Sequence, residues 1–159
     1  MVRANESAFG AAKNAYMTYG WLLQEVAKGS GWDKTIAIHS GVGDKFGGML
    51  GGMVRAKCGQ QKPDAACVSA VVEEMCKAVG IDCEIEASNG GLKVRYERCP
   101  IYEGLAASGI NHATIQQLCE AIAGREFGQL NELVPELTGK AKVRERPGDS
   151  CVEEYRLAK

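Results

Sequence analysis

KTIAIHSGVGDKFGGMLGGM, residues Lys34 to Met53, admits two opposed readings. A β-branched run, Thr35-Ile36-Ala37-Ile38, enters Gly41-x-Gly43, and Gly47 follows. Strand, glycine turn and helix in that order bring backbone N–H groups to a pyrophosphate. A dinucleotide fold also needs repeated strand–helix units and an acidic residue about 20 positions further on. Here KCGQQ occupies Lys57 to Gln61, and the next alternating stretch begins only at Cys83, after another helical pattern. Spacing supports the alternative. Gly43, Gly47 and Gly51 stand four apart, as do Gly48 and Gly52. Residues four apart share a helix face. Glycine there lets another backbone come close, although each costs about 1 kcal/mol of helix propensity. The stretch is therefore predicted to be a helix, Asp33 to about Lys57, packed on another helix and helped by self-association. Met49, Leu50 and Met53 complete the contact, and His39 is expected to be a solvent-facing or capping residue at the helix start.

On either side the pattern stays helical up to Gly80. Asn5 is a candidate N-cap for a helix carrying Phe9, Ala12, Tyr16, Tyr19, Leu23 and Val26 on one stripe, closed by Gly29. Pro63 opens a helix with Val68, Val71, Val72, Met75 and Val79 on one face, and Gly80 ends it. The texture then changes. CEIEA and LKVRYER alternate around the turn SNGG, which is a hairpin signature. Cys99-Pro100 opens a short helix; Ile115, Leu118 and Ile122 mark another, ending at Gly124; a third piece covers Phe127 to Leu133. KAKVRER and CVEEYRL flank PGDS as a second hairpin, with Asp149 shaping the turn. The predicted class is α+β: N-terminal helices packed on a four-stranded antiparallel sheet made of two hairpins with helices between them. Residues 1–159 form one domain, with 1–80 a helical lead and 81–159 the hairpin–helix–hairpin part.

Lys and Arg number 19 against 20 Asp and Glu, a net charge of −1. No basic stripe is present, so nucleic acid is not an expected partner. No apolar run is long enough to span a bilayer. MVRANESAFG lacks the apolar core of a signal peptide, and a cytoplasmic location is expected. Seven cysteines are an odd count, and in a reducing compartment disulfides explain them poorly. Cys58, Cys67, Cys76 and Cys83 are read as packing residues without an assigned role.

Cys99, Cys119 and Cys151 stand differently. Pro100 favours the first helical position, which makes Cys99 an N-cap, where free N–H groups favour a thiolate. Cys119 lies on the Ile115–Leu118 helix, and Cys151 opens the last strand. Spacing alone makes no metal motif of them, since a close Cys-x-x-Cys pair is absent. Three core cysteines remain the plain alternative. His112 reads as a helix cap or as a base for a Cys99 nucleophile. Tyr96, Tyr102 and Tyr155 are candidates for a pocket wall or for sheet packing.

The segments RYERCPIYEGLAASG, LCEAI, LNELVPEL and VRERPGDSCVEEYRL, spanning Leu92 to Leu157, resemble the L-2-amino-thiazoline-4-carboxylic acid hydrolase family and, more distantly, 4-vinyl reductase domains. The resemblance implies helices on an antiparallel sheet, a homodimer and a small organic ligand. It also implies a thiolate zinc site, with Cys99 and Cys151 matching its first and last ligands; as soft ligands, three thiolates would suit zinc or an iron–sulfur cluster. The family's paired Cys and its Glu would fall near Val143 and Lys140, where this chain departs, so Cys119 is the candidate substitute. A fourth position would be water, Glu103, His112 or Glu120. The expected function is a small-molecule-binding domain with a cysteine-ligated centre. One alternative is a hydrolase that opens the thiazoline ring, with Cys99 and His112 as catalytic residues and Arg95, Arg98 and Tyr102 binding substrate. A non-catalytic dimeric assembly subunit is the second alternative. Against hydrolysis, the pattern contains no evident carboxylate pair.

Overall fold

The computed structural model describes residues 1–3, 5–59 and 62–158. Asn5 caps α1 (Glu6–Ser30), its Oδ1 accepting from Ser7 N at 2.8 Å and Ala8 N at 3.4 Å. The helix continues through Gly29 and stops at Gly31, whose φ of 80° suits glycine. α2 (Trp32–Cys58) follows at once and covers the whole Lys34–Met53 stretch, so the strand and glycine turn of the phosphate reading do not form. Asp64 caps α3 (Ala65–Val79), accepting from Cys67 N at 2.7 Å. Pro63 thus stands one residue before the cap rather than inside the helix. Gly80, at φ 75° and ψ 30°, ends α3 as predicted.

β1 (Asp82–Ser88) and β2 (Gly91–Arg98) form the first hairpin, α4 (Pro100–Ala107) and α5 (His112–Leu133) follow, and β3 (Leu137–Lys142) and β4 (Cys151–Leu157) form the second. The sheet order is β1-β2-β4-β3, antiparallel throughout, which is the predicted class. Register puts Cys83, Tyr96 and Cys151 in one row across the strands, Ile85, Val94, Glu153 and Ala141 in the next, and Leu92, Tyr155 and Gly139 in a third. Alternation sends these rows to one face of the sheet. In the β3–β4 connection Asp149 Oδ2 accepts from Arg146 N at 3.0 Å, so Asp149 does shape the turn.

Gly124 does not end a helix, contrary to the sequence expectation; α5 runs unbroken to Leu133. The reason lies in α2. A Cβ at Gly43 or Gly47 would collide with the carbonyl oxygen of Ile122 or Glu126, and one at Gly51 would lie 3.0 Å from the Leu133 side chain. Arg125 also pairs with Asp44, Nε to Oδ1 at 2.9 Å. Tertiary contact along this seam outweighs the propensity cost of Gly124. Gly48 and Gly52 face open space, so only one of the two glycine series makes the contact.

The expectation that no disulfide forms is also corrected. Cys58 closes α2 and Cys67 lies in the first turn of α3, and the α2–α3 turn brings their Cα atoms to 6.0 Å with the sulfurs bonded. The other five cysteines are free.

Two apolar clusters build the interior. One lies between the sheet and α2, α3 and α5, around Val54, Val68, Val71, Val94, Leu130 and Leu137. The other joins α1, α4 and the start of α5 around Leu105, Ile115 and Leu118. Among the described residues no helix is long and apolar enough to cross a membrane.

Candidate ligand cavity

Where the two clusters face each other they leave a cavity of about 410 Å³. Its wall takes Val72 and Tyr155 from the first cluster and Leu105 from the second, with residues from all five helices and from β2, β3 and β4. Volume and apolar lining fall in the range of small-molecule sites.

Few polar groups reach it, and each has a structural cause. On β4, Glu153 lies between Cys151 and Tyr155 on the inward face. Tyr96 Oη and Tyr155 Oη both donate to Glu153 Oε2, the latter at 2.7 Å. Tyr155 is itself held edge-on by Phe127, ring centroids 5.4 Å apart. On α5, Glu126 follows Ile122 by four residues and Cys119 by seven, and all three line the cavity. The Glu126 carboxyl makes no hydrogen bond or ion pair with any described residue. Burial pushes its carboxyl up to about 8, helped by the charge of Glu153. Burial also raises Glu153, against the pull of the two tyrosine hydroxyls. Both carboxyls keep some accessible surface, and both line the cavity. A carboxylate pair absent from the sequence expectation is therefore present, and among the described residues no lysine or arginine lines the cavity beside it.

His39 is corrected too. It stands inside α2, only 4 % exposed, and lines the cavity. Its Nδ1 is 2.8 Å from Tyr19 Oη, while Nε2 is buried without a partner. Burial pulls the imidazole below its ordinary value, so the ring is neutral near pH 7.

Cys99, Cys119 and Cys151 all line the cavity. Cys76 is a fourth cysteine in the wall, which the sequence did not single out. Cys99 is the residue before α4, with Pro100 in the first helical position as predicted. Its thiol is nevertheless pushed up to about 11. Burial outweighs the N–H groups of Tyr102 and Ile101, which pull the other way, so the expected thiolate is not favoured. Burial raises Cys119 as well, with the neighbouring Cys99 and Cys151 adding to it. Behind Cys151 stands Arg144, 5 % exposed. Its Nε donates to Cys151 Sγ at 3.4 Å, its guanidinium lies 4.2 Å from the Tyr102 ring centroid, and one terminal nitrogen has no partner. Among the described residues no group of three or more His, Cys, Asp or Glu side chains is arranged to hold a metal ion. The three thiols share a wall without forming a ligand set for zinc or an iron–sulfur cluster, which needs thiolates converging on one point.

Comparison with protein-family models, with curated proteins and with solved structures finds no match for this chain.

The remaining predicted site residues lie outside the cavity wall. His112 Nε2 donates to the Glu145 carbonyl at 2.9 Å, which leaves Nδ1 to accept from Tyr102 Oη, also at 2.9 Å. Both ring nitrogens are thus engaged. Asn111 rather than His112 caps α5, accepting from Thr114 N at 3.0 Å. Tyr102 is buried under Arg144. Arg95 is exposed, and its nearest carboxylate is Glu97 at 3.9 Å. Arg98 pairs with Glu6 at 2.7 Å and lies over Phe9. Glu103 pairs with Lys13 at 3.2 Å, and Glu120 accepts from Gln116.

Proposed function

We propose that this chain is a small-molecule-binding domain, of the general kind that the resemblance to 4-vinyl reductase and thiazoline-hydrolase proteins implies. One observation carries the proposal: an apolar cavity of about 410 Å³ between two separately packed clusters, with a few polar atoms converging on it. An assembly subunit needs no such space, and a filled core would be more stable, since voids cost packing energy. Titration with the neutral aromatic 2-naphthol, followed by its fluorescence, tests the proposal. Saturable binding is expected with a Kd below about 1 mM, corresponding to roughly −4 kcal/mol. Ala123→Phe, which fills the wall, should weaken it at least about tenfold. No binding, or equal binding by the filled variant, overturns it.

A hydrolase is the second reading, and the carboxyl pair favours it. Two buried carboxyls in one cavity, with Glu126 held protonated near neutral pH, are groups that acid–base chemistry can use. Thiazoline carboxylate itself fits poorly, because Arg95 and Arg98, the cations expected to hold its carboxylate, lie away from the cavity wall. Incubation with 2-amino-thiazoline-4-carboxylate decides this. Release of a cysteine derivative that Glu126→Gln abolishes makes the domain an enzyme; absence of turnover leaves it a binder.

A further inference from the structure

We propose that the cavity's ligand is an apolar molecule bearing one protonated amine, held by Glu126 and Glu153, with a second polar group that meets His39 Nε2. The proposal rests on the reading of the cavity as a small-molecule site. Its first support is a missing charge. Two carboxyls share an apolar cavity, and among the described residues no lysine or arginine lines it. Glu153 has two tyrosine hydroxyls on one oxygen, while the Glu126 carboxyl has no hydrogen bond or ion pair with any described residue. A carboxylate in such surroundings takes up a proton or a cation. Burial holds the Glu126 carboxyl at about 8, so a cation entering near neutral pH meets a group close to ionising.

A metal is not the fitting cation, because no described group of three such ligands converges. An ammonium is. Its three N–H donors match carboxylate oxygens that lack donors, and it needs no fixed coordination number. Tyr16, Tyr19 and Phe46 also line the cavity and suit an apolar or aromatic body.

The second support is independent. His39 is almost wholly buried, lines the same cavity and leaves Nε2 without a partner, although Tyr19 occupies Nδ1. A buried ring nitrogen left open carries a desolvation penalty that a hydrogen-bonding ligand atom would remove. The neutral ring presents one donor or one acceptor there.

Three probes of equal body separate the possibilities by calorimetry at pH 7.5: 4-phenylbutylamine, 4-phenylbutan-1-ol and 4-phenylbutyrate. The amine is expected to bind at least about tenfold more tightly than the alcohol, the scale of one charge-assisted hydrogen bond. The carboxylate should bind more weakly than either. Glu126→Gln keeps the shape and should bring the amine down to the affinity of the alcohol. Glu153→Gln should act in the same direction, and if it fails to fold, Glu126→Gln alone decides. Equal affinity of amine and alcohol, or an amine preference that survives Glu126→Gln, overturns the amine assignment and leaves the binding cavity intact. Failure of all three probes removes both readings.

Discussion

The cavity has a carboxyl wall and a thiol wall, and one physical cause acts on both. At the first, Glu126 and Glu153 sit among apolar and tyrosine side chains. At the second, Cys99, Cys119 and Cys151 line the surface, with Arg144 behind Cys151. Burial raises acids of both kinds. For a carboxyl the rise ends at about 8 and brings Glu126 into the physiological range. For the Cys99 thiol it ends at about 11, further from that range than where it began. Desolvation thus brings Glu126 within reach of protons and cations near neutral pH and keeps the Cys99 and Cys119 thiols protonated. A cysteine at a helix start is no guarantee of reactivity, and a glutamate on an inward strand position need not be a misfit.

The comparison breaks most completely through the seam that carries the carboxyl wall. Gly47→Leu drives a side chain into the Glu126 carbonyl and the Gln129 side chain. A loss of more than about 3 kcal/mol is expected, read as a large drop in thermal midpoint or as unfolding. Gly48→Leu, which faces open space, should change stability by less than about 1 kcal/mol. Equal melts for the two variants would show that the seam does not hold the wall.

Next in size is Glu153→Ala. It strips the shared acceptor from the Tyr96 and Tyr155 hydroxyls. Urea unfolding should register a loss of about 2–4 kcal/mol, the cost of two under-satisfied buried donors. Glu153→Gln retains an acceptor and should lose less than half of that.

Glu126 sharpens the contrast through pH. Its folded value of about 8 stands above the ordinary carboxyl value of 4.5, so the folded state holds a proton that the unfolded chain releases. Its contribution is fully present below pH 4.5 and is lost as pH rises through 8. Between those limits the loss should be on the order of 1–3 kcal/mol, discounted for solvent at the cavity mouth. Glu126→Gln should flatten the decline in thermal midpoint across this window. A variant with the same slope as the parent would locate the effect elsewhere.

The thiol wall should give the smallest signal. With a pKa of about 11, the Cys99 thiolate fraction at pH 7.5 is roughly a hundredfold below that of a thiol of ordinary value. Iodoacetamide labelling followed by peptide mass analysis should find Cys99 almost unmodified at pH 7.5 and faster with rising pH. Labelling at the rate of a free thiol would mean that burial does not control it.

Hairpins, caps and the glycine seam were legible in the sequence because each rests on local geometry: alternation about Asn89-Gly90, an Asn before Glu6, glycines at a spacing of four. The continuity of α5 was not, because Gly124 reads as a stop unless the partner helix is known. His39 was misread for lack of one comparison. It precedes Gly43 by four and Gly47 by eight, so it belongs to the same buried stripe. The carboxyls left a similar trace. Glu153 stands at period two between Cys151 and Tyr155, and Glu126 shares a helix face with Cys119 and Ile122. Each is an acid in a row of apolar positions, and such rows invite dismissal as solvated faces until burial is known. The Cys58–Cys67 bond depends on how α3 turns back on α2, which no local pattern encodes.

Gly43 and Gly47 bring the backbones of α2 and α5 so close that the two helices have little freedom to spread or slide. His39 stands about 6 Å of helix rise ahead of Gly43 on α2, and Glu126 offers its carbonyl to Gly47 on α5. The seam therefore acts as a caliper, with His39 on one jaw and Glu126 on the other. Its opening is set by two hydrogen atoms where any other residue would carry a side chain. A ligand held as proposed between Glu126 and His39 would be gauged for length by that opening as well as for charge.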